Sequence, residues 1–327
     1  MALNLEDFGV VPAGQDAVRP FAVEGLDVRG RVVALGPVVE TVLSRHDYPE
    51  PVSRLLAEAM VLTSLLGTSL KFQGRFTLQA QTDGPVSMLV VDFTSPNALR
   101  AYASYDADAV DALSAAKKAT AETLLGKGHL ALTIDQGKHM QRYQGLVELD
   151  GISLEEVARR YFARSEQIPT EVRLAVGELY TRLEGERPQK GWTAGGILIQ
   201  FLPDTPDRMR QADLHPGDAP DGTELHTLEE DDAWVEAKAL VETVKDLELT
   251  DPDISVERLL FRLFHERGVR LFEPQPIVDR CQCSRDKVAG ILSGFDAAEL
   301  EDMTIDSKIV VTCEFCSTRY EFDPPEA

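Results

Sequence analysis

Cysteine occurs four times in this chain, and all four residues fall in two close pairs toward one end, Cys281-Gln282-Cys283 and Cys313-Glu314-Phe315-Cys316. Thiols gathered in this way, with none elsewhere, read as a single tetrahedral site, because zinc takes four ligands and accepts four thiolate sulfurs without strain. Residues 284 to 312 supply a spacer of a length that suits a small fold between two knuckles. The pattern leaves two alternatives open: a zinc ribbon with a purely structural role, and a pair of disulfides formed in an oxidising compartment. Residues 1 to 20 show no basic stretch followed by an apolar run and a small-residue cleavage site. The expectation is therefore a cytoplasmic protein that binds metal.

The first pair is unusual because only Gln282 separates its cysteines. Without a metal, two sulfurs so close would close a small, strained disulfide ring, and strained disulfides are the readily reduced ones. Four thiolates on one Zn²⁺ leave a formal excess of two negative charges. Arg280, Arg285, Lys287, Lys308 and Arg319 lie near enough in sequence to offset it. Thiolates are also the form of sulfur that attacks peroxide or hypochlorous acid.

Composition narrows the function class. A chain of 327 residues has two domains as its natural prior and ample length for a core. Its 43% apolar content is ordinary for a globular protein, and no apolar run of membrane-spanning length occurs. A net charge of -22 argues against nucleic acid as a partner, since binding phosphate takes clustered Lys and Arg. The same charge helps to keep a protein in solution while it exposes apolar surface.

Along the chain, residues 1 to 18 read as a flexible lead-in, Arg29 to Leu35 as a strand, and 37 to 45 and 51 to 70 as helices. The second helix is apolar on most sides and should run through a core. Alternation predicts a hairpin, 75 to 81 and 86 to 93, turning at Asp83-Gly84, with a third strand at Leu99 to Tyr105. Further strands are expected at 129 to 135, 143 to 149, 171 to 180 and 194 to 202, and Ser153 with Glu156 reads as a capping box. No phosphate loop, nucleophile elbow or dinucleotide fingerprint is present, and His46, His129, His139 and His215 have no metal-ligand spacing. The chain is therefore not expected to be an enzyme.

Residues 203 to 225 are rich in Pro, Asp and Gly and read as a loop. Beyond them Trp234, Ala237, Leu240, Val241, Val244 and Leu247 fall on one helix face, and Ser255 caps a helix bearing Val256, Leu259, Leu260, Leu263 and Phe264. Both faces need burial, and the preceding domain is the obvious place. Downstream, Ser284 is a cap for a helix with Val288, Ile291 and Leu292, and Asp296 with Glu299 caps another. The apolar inventory of this terminal module is too small for it to fold without a metal.

The run from Cys281 to Lys287, followed by Val311-Thr312-Cys313-Glu314-Phe315-Cys316, resembles the redox-switch domain of the bacterial redox-regulated heat-shock chaperones, the thirty-three-kilodalton chaperonin family. Upstream, Gly84-Pro85, Leu132-Thr133-Ile134-Asp135, Tyr143-Gln144-Gly145, Tyr161-Phe162, Ser165 to Thr170 and Ala194-Gly195-Gly196-Ile197-Leu198 resemble its substrate-holding core in order and spacing. The 203–225 segment looks longer than the family's usual connection.

This resemblance implies an α+β fold with an N-terminal mixed sheet-and-helix core domain (1–225), an amphipathic helical linker (226–268) and a small C-terminal zinc-binding redox-switch domain (269–327). It implies one Zn²⁺ per chain on Cys281, Cys283, Cys313 and Cys316 in the reduced form, and Cys281–Cys283 and Cys313–Cys316 disulfides in the oxidised form. The implied activity is that of an ATP-independent holdase, silent when reduced, which dimerises on oxidation and binds unfolding client proteins. A thiol-disulfide oxidoreductase using Cys313 and Cys316 is the competing reading, and turnover of an insulin-type disulfide would favour it. A zinc ribbon that is never oxidised would ignore peroxide altogether.

Overall fold

In a computed structural model of the chain, the described residues are 11–69, 73–137, 142–181, 189–203 and 230–324. His139, His215 and all but the first residue of the 203–225 segment lie outside these ranges.

The elements of the first domain are β1 (Ala17–Val23), β2 (Val28–Leu35), α1 (Pro37–Ser44), α2 (Glu50–Gly67), β3 (Arg75–Thr82), β4 (Met88–Thr94) and β5 (Ala98–Ser104). They continue as α3 (Ala107–Ala115), α4 (Ala121–Leu125), β6 (Lys127–Asp135), β7 (Tyr143–Asp150), α5 (Leu154–Tyr161), β8 (Thr170–Thr181) and β9 (Gln189–Phe201). Then come α6 (Asp232–Glu242), α7 (Asp246–Thr250) and α8 (Val256–Phe264), and the short strands β10 (Val269–Leu271), β11 (Gln275–Pro276) and β12 (Val278–Asp279). The chain ends in α9 (Arg285–Leu292), α10 (Ala297–Asp302), β13 (Thr304–Ile305), β14 (Lys308–Thr312) and β15 (Arg319–Phe322).

The α+β class is as expected, with two six-stranded sheets at its centre. One runs β10-β1-β2-β9-β8 with β11 also paired to β1, and the other runs β12-β5-β4-β3-β6-β7. Helix α2 touches strands of both. That position explains its composition: Leu55, Leu56, Met60, Val61, Leu62 and Leu65 are all buried, on every side of the helix. A helix facing apolar neighbours all round has no polar stripe to show.

The first sheet is buried on both faces. Along β2, Val33 packs toward α2 while Val32 packs the opposite way. On β9, Leu198 goes with Val33, and Ile197 and Ile199 go with Val32. The second face, which includes Phe21, Val23, Val28 and Phe201, is covered by Trp234, Ala237, Val241, Val244, Leu259, Leu260, Leu263 and Phe264 from α6 to α8. At roughly 1.5–3 kcal/mol for each large side chain fully buried, this is a substantial stabilisation. Gly195 lets the linker come close: a Cβ there would lie 2.1 Å from the carbonyl oxygen of Leu249.

Several details differ from the sequence reading. Of the stretch expected as a flexible lead-in, residues 1–10 lie outside the described ranges and the rest is fastened: the Ala13 N–H donates to Glu257, the Val11 carbonyl accepts from Arg19, and the Asp16 carboxylate accepts from the N–H groups of Gly36 and Val38 at the start of α1. Strand β1 follows at once. Ser153 does cap α5 by accepting from the Glu156 N–H, but the Glu156 carboxylate turns outward to Arg159 and Arg160. The helix that begins near Trp234 ends at Glu242, and the Glu248 carboxylate accepts from the Lys245 N–H to start a new turn, leaving Leu247 65% exposed.

Strands β10, β11 and β12 join the sheets of the first domain: β10 and β11 pair with β1, and β12 runs parallel to β5. Arg280 N–H continues this ladder by donating to the Leu99 carbonyl. The remaining module, from the first cysteine onward, has a three-stranded sheet β13-β14-β15 and helices α9 and α10. Among the described residues its buried apolar side chains are Val288 and Ile309.

Candidate metal centre

The two cysteine pairs are held by different local devices. Thr312 and Arg319 are the last partners of the β14–β15 hairpin, and Cys313 to Thr318 make its turn. The Cys313 N–H donates to the Thr318 carbonyl at 2.9 Å and the Ser317 N–H to the Cys313 carbonyl at 2.8 Å, with Ser317 in the left-handed region at φ 55°. The pair therefore lies on a hairpin turn closed by an i+4 to i hydrogen bond, without the strand-to-helix setting of a thioredoxin-like motif. The other pair occupies irregular chain between β12 and α9, where Ser284 accepts from the Lys287 N–H to start the helix.

These devices bring all four sulfurs within 4.8 Å of one another. Cys281 and Cys313 stand 3.7 Å apart, and Cys283 and Cys316 3.4 Å apart. A tetrahedron of sulfurs at the usual zinc–sulfur bond length has edges of about 3.8 Å. The donor set thus fits zinc in both chemistry and spacing, and all four expected ligands come together.

Polar groups around the sulfurs complete the site, as outer partners of metal ligands commonly do. The Tyr320 hydroxyl donates to Cys283 Sγ at 3.1 Å, which keeps that phenol protonated with its pKa pushed up to about 12. Thr318 Oγ1 lies 3.1 Å from Cys316 Sγ. Burial alone would raise the Cys316 thiol, but the Thr318 side chain and backbone and the neighbouring thiols outweigh it and bring it down to about 7. Burial pushes Cys313 up to about 12 against hydrogen bonds from the Cys316 and Phe315 N–H groups.

Four of the five flanking cations are engaged elsewhere. Arg285 donates to the Glu321 carbonyl and Lys287 to the Gln282 carbonyl, while Lys308 pairs with Asp323 and Arg319 with Glu321. The guanidinium aimed at the cluster belongs to Arg100 on β5, which donates toward Cys281 Sγ at 3.9 Å. Arg45 also feels the charge of Cys316 and Cys281 from its place beside Asp279. Sequence distance hides both arginines, and no local pattern marks either one. Of the histidines singled out, His46 reaches the module, with Nε2 3.4 Å from the Phe315 carbonyl oxygen.

Comparison with known proteins agrees with this geometry. The family model described as Hsp33 protein matches residues 16–323. This chain belongs to the Hsp33 family. The 33 kDa chaperonin of Caulobacter vibrioides (strain NA1000 / CB15N) is 46% identical over 323 residues, covering 98% of each chain. That of Ectopseudomonas mendocina (strain ymp) is 37% identical over 310 residues, covering 94% of this chain and 92% of its own. The crystal structure of the 33 kDa chaperonin of Thermotoga maritima superposes with a TM-score of 0.69 at 22% identity, covering 95% of this chain and 96% of that one. The Hsp33 fold and the chaperone class of the family therefore apply here. No described helix is long and apolar enough to cross a membrane.

Proposed function

We propose that this protein is a redox-regulated, ATP-independent holdase of the cytoplasm whose switch is the four-cysteine cluster. The observation that carries the reading is the position of that cluster: four sulfurs within 4.8 Å of one another, in a module whose described apolar core is little more than Val288 and Ile309. Cys281, Cys283, Cys313 and Cys316 hold one Zn²⁺ in the reduced protein. When bound, the ion supplies the folding energy that the module lacks, about 10–16 kcal/mol for sites of this kind.

An oxidant such as peroxide takes two electrons from each pair of thiols, forming one disulfide and two molecules of water. The Cys281–Cys283 and Cys313–Cys316 disulfides withdraw all four donors from the metal site. Each crosslink spans so few residues that it constrains the unfolded chain little and does not replace the lost stability. The module then unfolds, α6 to α8 lose their support, and the face of the first sheet formed by Phe21, Val23, Val28, Ile197, Ile199 and Phe201 is uncovered. Unfolding client chains bind there, the activated protein dimerises, and reductants reverse the change. The division into core (1–225), linker (226–268) and switch (269–327) belongs to this proposal, with 269–279 serving as strands of the core sheets while the protein is reduced.

The test follows zinc release with a coloured chelator alongside aggregation of a heat-unfolding client, before and after peroxide at elevated temperature. Release of about one zinc per chain together with onset of protection supports the proposal. Protection that is the same before and after peroxide refutes it.

A further inference from the structure

The residues enclosed by the two cysteine pairs are the ones that grip the first domain. Gln282, the sole spacer of the first pair, uses both ends of its amide: Oε1 accepts from Arg75 at 3.0 Å and Nε2 donates to Thr94 Oγ1 at 3.0 Å. Arg75 and Thr94 are direct cross-strand partners on β3 and β4. Phe315, inside the second pair, lies under the Arg100 guanidinium at 4.0 Å and beside the Tyr102 ring at 6.2 Å. One position past that pair, the Ser317 hydroxyl donates to the Arg45 carbonyl at 3.3 Å.

The surface that receives these residues is firmly built. Asp92 fixes Arg100 through contacts of 2.9 and 2.5 Å, and is itself held by the Thr77 hydroxyl at 2.5 Å. These groups lie on three adjacent antiparallel strands, β3, β4 and β5. The platform is thus held by bonds among its own strands.

We propose that strands β3–β5 form a docking platform that reads the redox state of the cysteine pairs through Gln282 and Phe315. The inference rests on the switch described above and adds how its state reaches the first domain. In the reduced module Cys281 approaches Cys313 at 3.7 Å and Cys283 approaches Cys316 at 3.4 Å, with no sulfur bonded to its neighbour in the same pair. A disulfide requires sulfurs about 2.05 Å apart with the side chains turned toward each other. Closing Cys281 onto Cys283 therefore rotates the backbone about Gln282, and closing Cys313 onto Cys316 rotates it about Phe315. In each closure two cysteine sulfurs give up two electrons to a peroxide, which takes up two protons and leaves as two waters. Both docking side chains are drawn off the platform by the bonds that form around them.

Coupling of this kind is reciprocal: if oxidation weakens docking, docking opposes oxidation by the same factor. The test uses the full chain carrying Arg75→Ala with Thr94→Val, changes confined to the platform that leave all four cysteines and Gln282 in place, and Gln282→Ala as an independent variant. The oxidation equilibrium is measured by thiol titration in dithiothreitol buffers, and amide exchange is followed across 278–283 in the reduced state. Loss of the amide's two hydrogen bonds should raise the equilibrium constant for oxidation by about tenfold and speed exchange at 278–283. Variants that oxidise at the wild-type buffer ratio and keep wild-type protection overturn the inference. The outcome is separable from that of the chaperone reading: a shifted equilibrium in a protein that never protects clients upholds the platform and removes the holdase.

Discussion

At Cys283 the site depends on one hydroxyl, donated by Tyr320 from the neighbouring strand. Tyr320→Phe removes that donor and nothing else, so zinc affinity in a chelator competition should fall by about tenfold, in the range usual for outer partners of metal ligands. An unchanged affinity would mean that the hydroxyl contributes nothing to ligand strength. Glu58 on α2 gives the corresponding test of pH dependence. Burial, reinforced by Glu155 and Glu122, pushes its carboxyl up from 4.5 to about 7, with Arg54 opposing. The folded state then holds a proton that the unfolded state has released, so this contribution is complete below pH 4.5 and is lost as pH rises through about 7. Glu58→Gln should match wild type near pH 4.5 and be more stable at pH 8, by up to about 3 kcal/mol in urea unfolding of the reduced protein. A difference independent of pH would contradict the assignment. At this scale the clustering of the four cysteines was legible because cysteine is rare and its spacing is chemical, whereas Arg45, Arg100 and Tyr102 were not, because only the tertiary fold brings them to the module.

Elements with their own periodicity were also readable: α2, α8, and the β3–β4 hairpin stand close to their expected positions. The ones that escaped lack a pattern of their own. Strand β1 is buried on both faces and shows no alternation, and α3 buries only Val110. Strands β10 to β12 are two or three residues long and exist as strands only through β1 and β5. The exposure of Leu247 has a similar cause, since the break after Glu242 is made by a capping carboxylate rather than by a loss of apolar periodicity. Helix α8 offers the sharpest element-scale prediction. Leu260 is fully buried against the first sheet, and Leu260→Ala should cost about 2–5 kcal/mol of local stability. If α8 covers the client surface, the reduced variant should already suppress part of a client's aggregation at elevated temperature. A variant as silent as the reduced wild type would place that surface elsewhere.

Across the whole molecule, three features fit a device that opens and closes. The terminal module is poor in apolar core, the linker helices cover a large apolar sheet face, and the chain carries a net charge of -22 that helps to keep it in solution while such a face is bare. The buried Arg19–Glu257 pair at the joint between β1 and α8 belongs to the same design. Two buried charges gain little over apolar packing, so the joint can part at modest cost once its support is gone. The central claim is that oxidation of four cysteines is felt across the linker, and amide hydrogen exchange read by mass spectrometry tests it most directly. After peroxide at elevated temperature, the account predicts loss of protection over 280–324 and over α6 to α8, with β3, β4 and β6 unchanged. Full protection of 232–264 in protein whose cysteines are all oxidised would contradict it.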